Sequence, residues 1–319
     1  MGYVSAMIDT AGLRIMRAIS EQGSFTAAAN SLGYTQPAIS QMVRRLEGRI
    51  GTPLVQRQGR TVRLTQAGEV LARHAVTVLG MMDAAEQELS AIAGLAKGRV
   101  RLAAFPSSSA ALVPQALGSL RAEHPGIEIT LLEAEPPEAL AALRGGRCDL
   151  AVAFSYSGAD VGRGVDDLHG LEIRDLFTDE MVIAMPEGHP SAGQDRVAMK
   201  ELQESPWIAG CARCRGHLMD LGHQAGFAPR VEFETEDYVA VLGLVSAGMG
   251  VALVPRMVLR HIRHEGVVTR PLATPSHRTI HAVSTQDLLR VPAVGSALGA
   301  LVAAAAELAE THDVELATE

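Results

Sequence analysis

The chain has 319 residues, 47% hydrophobic and 20% charged, which excludes a disordered polymer and makes two or three domains the expectation. Its three cysteines, an odd number, and the lack of a visible secretory signal exclude a disulfide scaffold and point to reduced thiols in a cytoplasmic protein. The net charge of −8 is uneven: residues 1–68 hold eight arginines against three acids, a net of +5, so the remainder carries −13.

A basic head on an acidic body is expected where only the head meets a polyanion. Within the head, Ser24 is a good N-cap for a helix over 25–31, and Gly33 supplies a turn. Thr35 caps a second helix with Pro37 in its first turn, where the missing N–H costs little. Ile39, Val43, Leu46 and Ile50 make its apolar face, while Gln36, Ser40 and Arg44 form a polar row with Gln41 beside it. Short polar side chains suit base edges in a major groove, and an arginine suits guanine or phosphate. An ordinary solvated helix face has the same pattern. Two short strands then flank Gln58-Gly59, a hairpin turn, so that Arg57, Arg60 and Arg63 line a wing. The DNA-contacting set is therefore Ser24, Thr35, Gln36, Pro37, Ser40, Gln41, Arg44, Arg57, Arg60 and Arg63.

From Thr65 to about residue 95 the pattern predicts one long helix. Leu71, Ala75, Val78, Met82, Ala85, Leu89 and Ile92 recur at alternating fours and threes. That is a heptad seam over about 31 Å of helix at about 1.5 Å per residue, and it favours a partner helix in a homodimer. A helix packed only on its own domain is the alternative.

After Lys97-Gly98 strands and helices alternate: strand 100–105, helix 107–123, strand 127–132, helix 137–144, strand 149–154. A second set follows from about 176: strand 181–185, short helix 199–202, strand 207–209, helix 215–225, strand 231–234, helix 238–247, and a glycine turn into a strand at 248–255. Two α/β sets in sequence predict two lobes with a cleft. The apolar stretch 298–309 is short for a membrane span and is expected to be a surface helix, with no membrane partner.

These residues resemble the LysR-type transcriptional regulators. The resemblance rests on Gly23-Ser24-Phe25-Thr26-Ala27-Ala28-Ala29, Gln36-Pro37-Ala38-Ile39-Ser40, Arg45-Leu46-Glu47, Gly51-Thr52-Pro53-Leu54 and Leu64-Thr65-Gln66-Ala67-Gly68. Further along it rests on Gly146-Arg147-Cys148-Asp149-Leu150, Glu187-Gly188-His189-Pro190 and Gly248-Met249-Gly250-Val251. Val55 departs from the phenylalanine usual there. The resemblance implies an α/β fold: an N-terminal winged helix-turn-helix over 1–65, a linker and dimerisation helix over 66–96, and a periplasmic-binding-protein-like effector domain over 97–310. Lobe I would be about 97–170 with 273–310, and lobe II about 171–272. It also implies double-stranded promoter DNA as partner, a homodimer pairing into a homotetramer, contact with RNA polymerase, and no required cofactor beyond a small-molecule effector.

In the cleft, Ser107, Ser108 and Ser109 fall between a strand and a helix N-terminus, where free N–H groups and hydroxyls attract an anion. One of them capping the helix is the plainer reading. Phe154 and Tyr156 end another strand and offer a second rim, and Thr235 is either a cap or a cleft residue. Cys211 and Cys214 form a Cys-x-x-Cys motif with His217 beyond, next to Arg213 and Arg215. Three readings stay open: a thiol-redox switch with lowered thiol pKa values, a metal site of at most three ligands, and cysteines packed as small apolar groups. Oxidant-sensing members of the family carry cysteines in this lobe. No catalytic residues are assigned, because no Gly-x-Ser-x-Gly elbow, phosphate loop, dinucleotide fingerprint or His-Glu-x-x-His occurs. An enzyme fused to a helix-turn-helix, or an acidic body serving assembly alone, are the rival functions.

Overall fold

The computed structural model describes residues 8–58, 61–92, 98–156, 161 and 168–318. A smaller compact unit holds the chain up to the linker helix, and a larger one holds nearly all that follows.

In the smaller unit a helix not anticipated from sequence, α1 (Thr10–Gln22), comes first. The Asp9 carboxylate accepts from Gly12 N–H at 2.7 Å to start it, and Gly23 ends it at φ 62°. α2 (Phe25–Leu32) and α3 (Gln36–Ile50) begin on the Ser24 and Thr35 hydroxyls, which accept from Ala27 and Ala38 N–H. Ile15, Ile19, Phe25, Ala28, Ile39 and Val43 pack together between these helices. β1 (Val55–Gln58) and β2 (Thr61–Leu64) form the antiparallel wing. Gln58 pairs with Thr61, so it belongs to the strand and not to the turn expected at 58–59. Gly59 and Arg60 lie outside the described residues. Val62 N–H donates to Gly23 O at 2.9 Å and ties the wing to the α1–α2 turn. Val55 packs against both apolar clusters, so the smaller side chain there is accommodated. α4 (Gln66–Ile92) starts where Thr65 Oγ1 accepts from Gly68 N–H at 3.1 Å. A Cβ on Gly68 would collide with the Leu54 carbonyl oxygen, so this position tolerates only glycine.

After the linker helix the chain runs β3 (Gly98–Ala104), α5 (Pro106–Glu123), β4 (Ile127–Glu133), α6 (Pro136–Arg144), β5 (Leu150–Tyr156) and β6 (Glu172–Pro186). A 3-10 turn at Met199–Leu202 leads to β7 (Pro206–Ala209), α7 (Ala212–Gln224), β8 (Arg230–Glu234), α8 (Tyr238–Ser246) and β9 (Val251–Pro255). Then come α9 (Arg256–Leu259), β10 (Val267–Ser284), α10 (Gln286–Leu289) and α11 (Pro292–Thr318). The sheet order is β4-β3-β5-β10-β6-β9-β7-β8. β3, β4 and β5 are parallel and make lobe I; β7, β8 and β9 are parallel and make lobe II. β5 reads as a continuous apolar run because both its faces are covered.

The two lobes share β6 and β10, which pair antiparallel along nearly their whole length. β10 pairs with β5 from Arg278 to Val283, whereas β6 pairs with β9 from Met181 to Ala184. The chain therefore crosses between lobes inside these strands, at about 178–181 and 271–278, rather than near 155–175. A Cβ on Gly250 would meet the Pro206 carbonyl oxygen at 2.5 Å, which is why the turn into β9 carries glycine. Residues Pro292–Ala309 of α11 are long and apolar enough to cross a membrane, a longer stretch than the dozen residues read from sequence. Leu301, Ala304, Ala305 and Leu308 are nevertheless buried, as in a core helix.

Candidate functional site

On α3 the buried side is set by Ile39, Val43 and Leu46. At 3.6 residues per turn, Ser40 lies about 100° from Ile39 and Gln41 about 200°. Ser40 is accordingly 8% exposed and Gln36 half-buried, whereas Thr35, Pro37, Gln41, Arg44 and Arg45 are exposed. The expected row Gln36, Ser40, Arg44 is thus corrected to Pro37, Gln41, Arg44 and Arg45. Arg45 could have been found from its spacing of four after Gln41. Ser24 and Thr35 have their oxygens engaged as caps. Glu47 Oε1 accepts from Leu54 and Val55 N–H at 2.8 and 3.3 Å and fixes where the wing departs. Arg63 is exposed on β2, and the backbone of Arg57 pairs with Val62 on β1. The Arg57 side chain and all of Arg60 lie outside the described residues.

The linker seam divides in two. Leu71 and Ala75 are buried with Leu79 against Leu13, Met16, Leu46 and Leu54 of their own unit, so they are not free for a partner. Val78, Met81, Met82, Ala85 and Leu89 are exposed, and Leu89 reaches 66%. Ile92 has its side chain outside the described residues.

Between the lobes, the three serines do not present three hydroxyls to a ligand. The N-cap of α5 is Phe105, with no side-chain cap. Ser108 Oγ donates to Phe105 O at 2.9 Å and Ser109 Oγ to Ala104 O at 3.5 Å. Ser107 alone faces the cleft, where its Oγ accepts from Arg278 Nη2 at 2.8 Å. Phe154 and Tyr156 are not on a rim. They are buried in β5, with Phe154 edge-on to both Phe105 and Tyr156. Thr235 does not cap α8, because the Asp237 carboxylate accepts from Val239 and Ala240 N–H.

The centre of the cleft is Arg278, absent from the sequence reading. It is 1% exposed, lies against the Phe105 and Phe154 rings, and sits directly across β10 and β6 from the fully buried Asp179. Its Nε and Nη2 donate to Asp179 Oδ2 at 3.0 and 2.9 Å, and Asp179 Oδ1 accepts from Met257 N–H at 3.0 Å. Burial works against the charge of Arg278, but Asp179, together with Tyr238, Tyr156 and Cys214, more than offsets it and raises the guanidinium pKa above its ordinary value. Tyr238 and Glu135 complete the surroundings, both pKa values raised by burial.

Cys211 and Cys214 sit at the start of α7. Cys211 is the N-cap, and its Sγ accepts from Cys214 N–H at 3.3 Å. The Cys211 thiol donates in turn to Cys214, which pushes the Cys214 pKa down and that of Cys211 up. Burial and the Glu135 carboxylate oppose the Cys214 thiolate, while Arg278 and the Tyr156 hydroxyl favour it. The expectation of two lowered thiols set by Arg213 and Arg215 is thus corrected to one lowered thiol, set by Cys211 first and Arg278 after it. Arg215 pairs with Glu234 at 3.2 Å, and Arg213 lies over the Phe154 ring. His217 does not join the thiols. Its ring stacks on Tyr156 at 3.8 Å, its Nε2 is 2.7 Å from Ser276 Oγ, and burial lowers its pKa to about 4. Among the described residues no three His, Cys, Asp or Glu side chains converge as a metal site. Cys148 is buried, with its thiol donating to Ala139 O at 3.7 Å.

The space enclosed by Ser107, Glu135, Cys211, Cys214, Tyr238 and Arg278 measures about 10 Å³, room for one water-sized molecule. A wider cavity of about 420 Å³ opens beside it in lobe II, lined by Gly210, Cys211, Arg215, Glu234, Thr235 and Glu236.

Residues 11–69 match the bacterial regulatory helix-turn-helix of the lysR family, and residues 93–306 match the LysR substrate binding domain. The chain belongs to the LysR family. Members of this family are DNA-binding transcriptional regulators with a ligand-binding domain, not enzymes. A LysR relative, the hydrogen peroxide-inducible genes activator of Pectobacterium carotovorum, is 30% identical over 275 residues, 85% of this chain and 88% of its own. A full-length OxyR variant of Pseudomonas aeruginosa, carrying aspartate in place of one cysteine, has the same fold at a TM-score of 0.70 and 18% identity, over 92% of this chain and 94% of its own. A Corynebacterium glutamicum OxyR mutant with one cysteine changed to serine, solved with H2O2 bound, is 26% identical with a TM-score of 0.58, over 96% of each chain.

Proposed function

We propose that this LysR-family regulator senses a small hydroperoxide through Cys214 and passes the change to promoter DNA. The observation that carries the reading is the placing of Cys211 at the N-cap of α7, where it hydrogen-bonds Cys214, lowers the Cys214 pKa and stands ready to resolve a sulfenic acid on it. A resemblance to hydrogen peroxide-inducible activators supports it. The chemistry balances with hydroperoxide as oxidant. The Cys214 thiolate attacks one peroxide oxygen, the O–O bond breaks, and the departing oxygen takes up the thiol proton. Cys214 becomes a sulfenic acid, oxidised by two electrons. Cys211 then attacks that sulfur, an S–S bond forms, and the hydroxyl leaves as water with the Cys211 proton. A disulfide pulls at the first turn of α7, and strain there reaches Tyr156 and Arg278 between the lobes.

Intact mass after one equivalent of H2O2 tests the chemistry. Wild type should lose two hydrogens, Cys211→Ser should retain one oxygen on Cys214, and Cys214→Ser should be unchanged. Oxidation of Cys214→Ser at the wild-type rate would refute the assignment.

A small-molecule effector in the 420 Å³ cavity is the second reading, favoured by its size and by Cys211 and Thr235 in its lining. An anionic effector has less support there, because Glu234 and Glu236 outnumber Arg215. In either reading the working form is a cytoplasmic homodimer, pairing into a tetramer, that places two α3 helices in successive major grooves and contacts RNA polymerase. No cofactor is required.

A further inference from the structure

Lobe II has a second cavity, of about 940 Å³, that neither reading uses. Five arginines from three segments converge on it. Arg196 comes from ahead of the 3-10 turn, Arg256, Arg260 and Arg263 from α9 and the loop after it, and Arg270 from β10. His264 joins them, and among the described residues Asp195 is the one acid in the lining. This concentration of positive charge sits in the part of the chain that carries −13. Neighbouring groups neutralise little of it. Arg256 pairs with Glu180 at 3.1 Å, but Arg196 Nη1 donates to Leu272 O and Arg270 Nη1 to Thr269 O, both uncharged carbonyls. Arg260 Nε and Nη2 and Arg270 Nε are buried without a hydrogen-bond partner among the described residues. Buried donors of this kind normally have acceptors, and guanidinium forks match phosphoryl and carboxylate oxygens. The floor is apolar, with Val182, Leu242 and Ile262.

We infer that this cavity binds a small multivalent oxyanion, a phosphate ester or polycarboxylate, with Arg260 and Arg270 as its principal donors. The guanidinium nitrogens left without partners are buried, so they suit a small ligand that enters the cavity better than a duplex lying across it. The site lies outside the thiol chamber and makes no use of Cys214, so it stands whether or not the peroxide reading does.

The test is to titrate pyrophosphate and citrate separately into the full chain at constant ionic strength, following melting temperature and heat of binding. The site predicts saturable binding of at least one, weakened roughly tenfold or more by Arg260→Gln and by Arg270→Gln. Arg263→Gln, on an exposed side chain, should weaken it several-fold while keeping the wild-type melting temperature. If pyrophosphate binds and citrate does not, the ligand is a phosphate ester; the reverse marks a polycarboxylate. Binding of neither anion, or a shift that never saturates and is equal in all three variants, overturns the site. So does a flattened salt dependence of DNA binding in Arg263→Gln, which would assign these arginines to the DNA backbone.

Discussion

Arg278 and Asp179 face each other across the two strands that join the lobes, with two guanidinium nitrogens within 3.0 Å of one carboxylate oxygen. From this pair Arg278 reaches Ser107 at the start of α5, and Asp179 accepts the Met257 N–H at the start of α9. One buried ion pair therefore links the first helix of lobe I to a helix of lobe II.

Removing one member leaves the other charged in the interior. Asp179→Leu or Arg278→Met should each cost about 3–5 kcal/mol of stability, and the double variant Asp179→Leu/Arg278→Met distinctly less than the sum. Urea denaturation of the four proteins checks this. Additive losses would mean that the pair is not a coupled unit.

In the proposed homodimer the linker helix would separate folding from assembly. Leu71→Ala, which empties a buried site, should lower stability by about 2–5 kcal/mol without changing the subunit stoichiometry. Met82→Glu and Leu89→Glu, on exposed side chains, should leave the melting of the monomer unit intact and dissociate the dimer in sedimentation velocity. A dimer that survives both charges places the interface elsewhere.

On the DNA face, Gln41→Ala should relax base preference by about 1–3 kcal/mol at one position. Arg63→Ala should weaken all sequences alike and reduce the slope of log K against log salt by about one unit. Ser40→Ala should leave base preference unchanged, because that side chain is buried. Selection on a random operator library reads all three.

His217 adds a pH dependence of known sign. Burial lowers its pKa to about 4 in the fold, against 6.5 when unfolded, so between these values the unfolded chain binds the extra proton. The stability that goes with its neutral form is fully present above pH 6.5 and is lost as pH falls from 6.5 towards 4. His217→Gln should lose less stability across that window than wild type, measured by urea midpoints at about pH 7, about 5.5 and about 4.5.

The helix-turn-helix was legible because its signals are local: Ser24, Gly33 and Thr35 punctuate it within a dozen residues. α1 carried the same kinds of signal, an Asp9 cap and apolar Leu13, Met16 and Ile19, and could have been read. The long crossing strands were only partly legible. Their polar residues, such as Asp179 and Arg278, look like loop until a partner 99 positions away satisfies them. The same distance hid the centre of the cleft. The cysteine pair was visible as a motif, but which thiol is lowered depends on the direction of the Cys211–Cys214 hydrogen bond and, after it, on Arg278 and Tyr156, and spacing cannot give that. The heptad seam misled at Leu71 and Ala75 because a period of 3.5 does not say whether the surface it meets is a partner or the helix's own domain.

The most direct test of the account is binding of the protein to the DNA beside its own gene, reduced and after one equivalent of H2O2, in wild type and Cys214→Ser. The account predicts that peroxide changes the affinity or footprint of wild type, that dithiothreitol reverses the change, and that Cys214→Ser does not respond. Specific binding that is identical in both proteins before and after peroxide would contradict it.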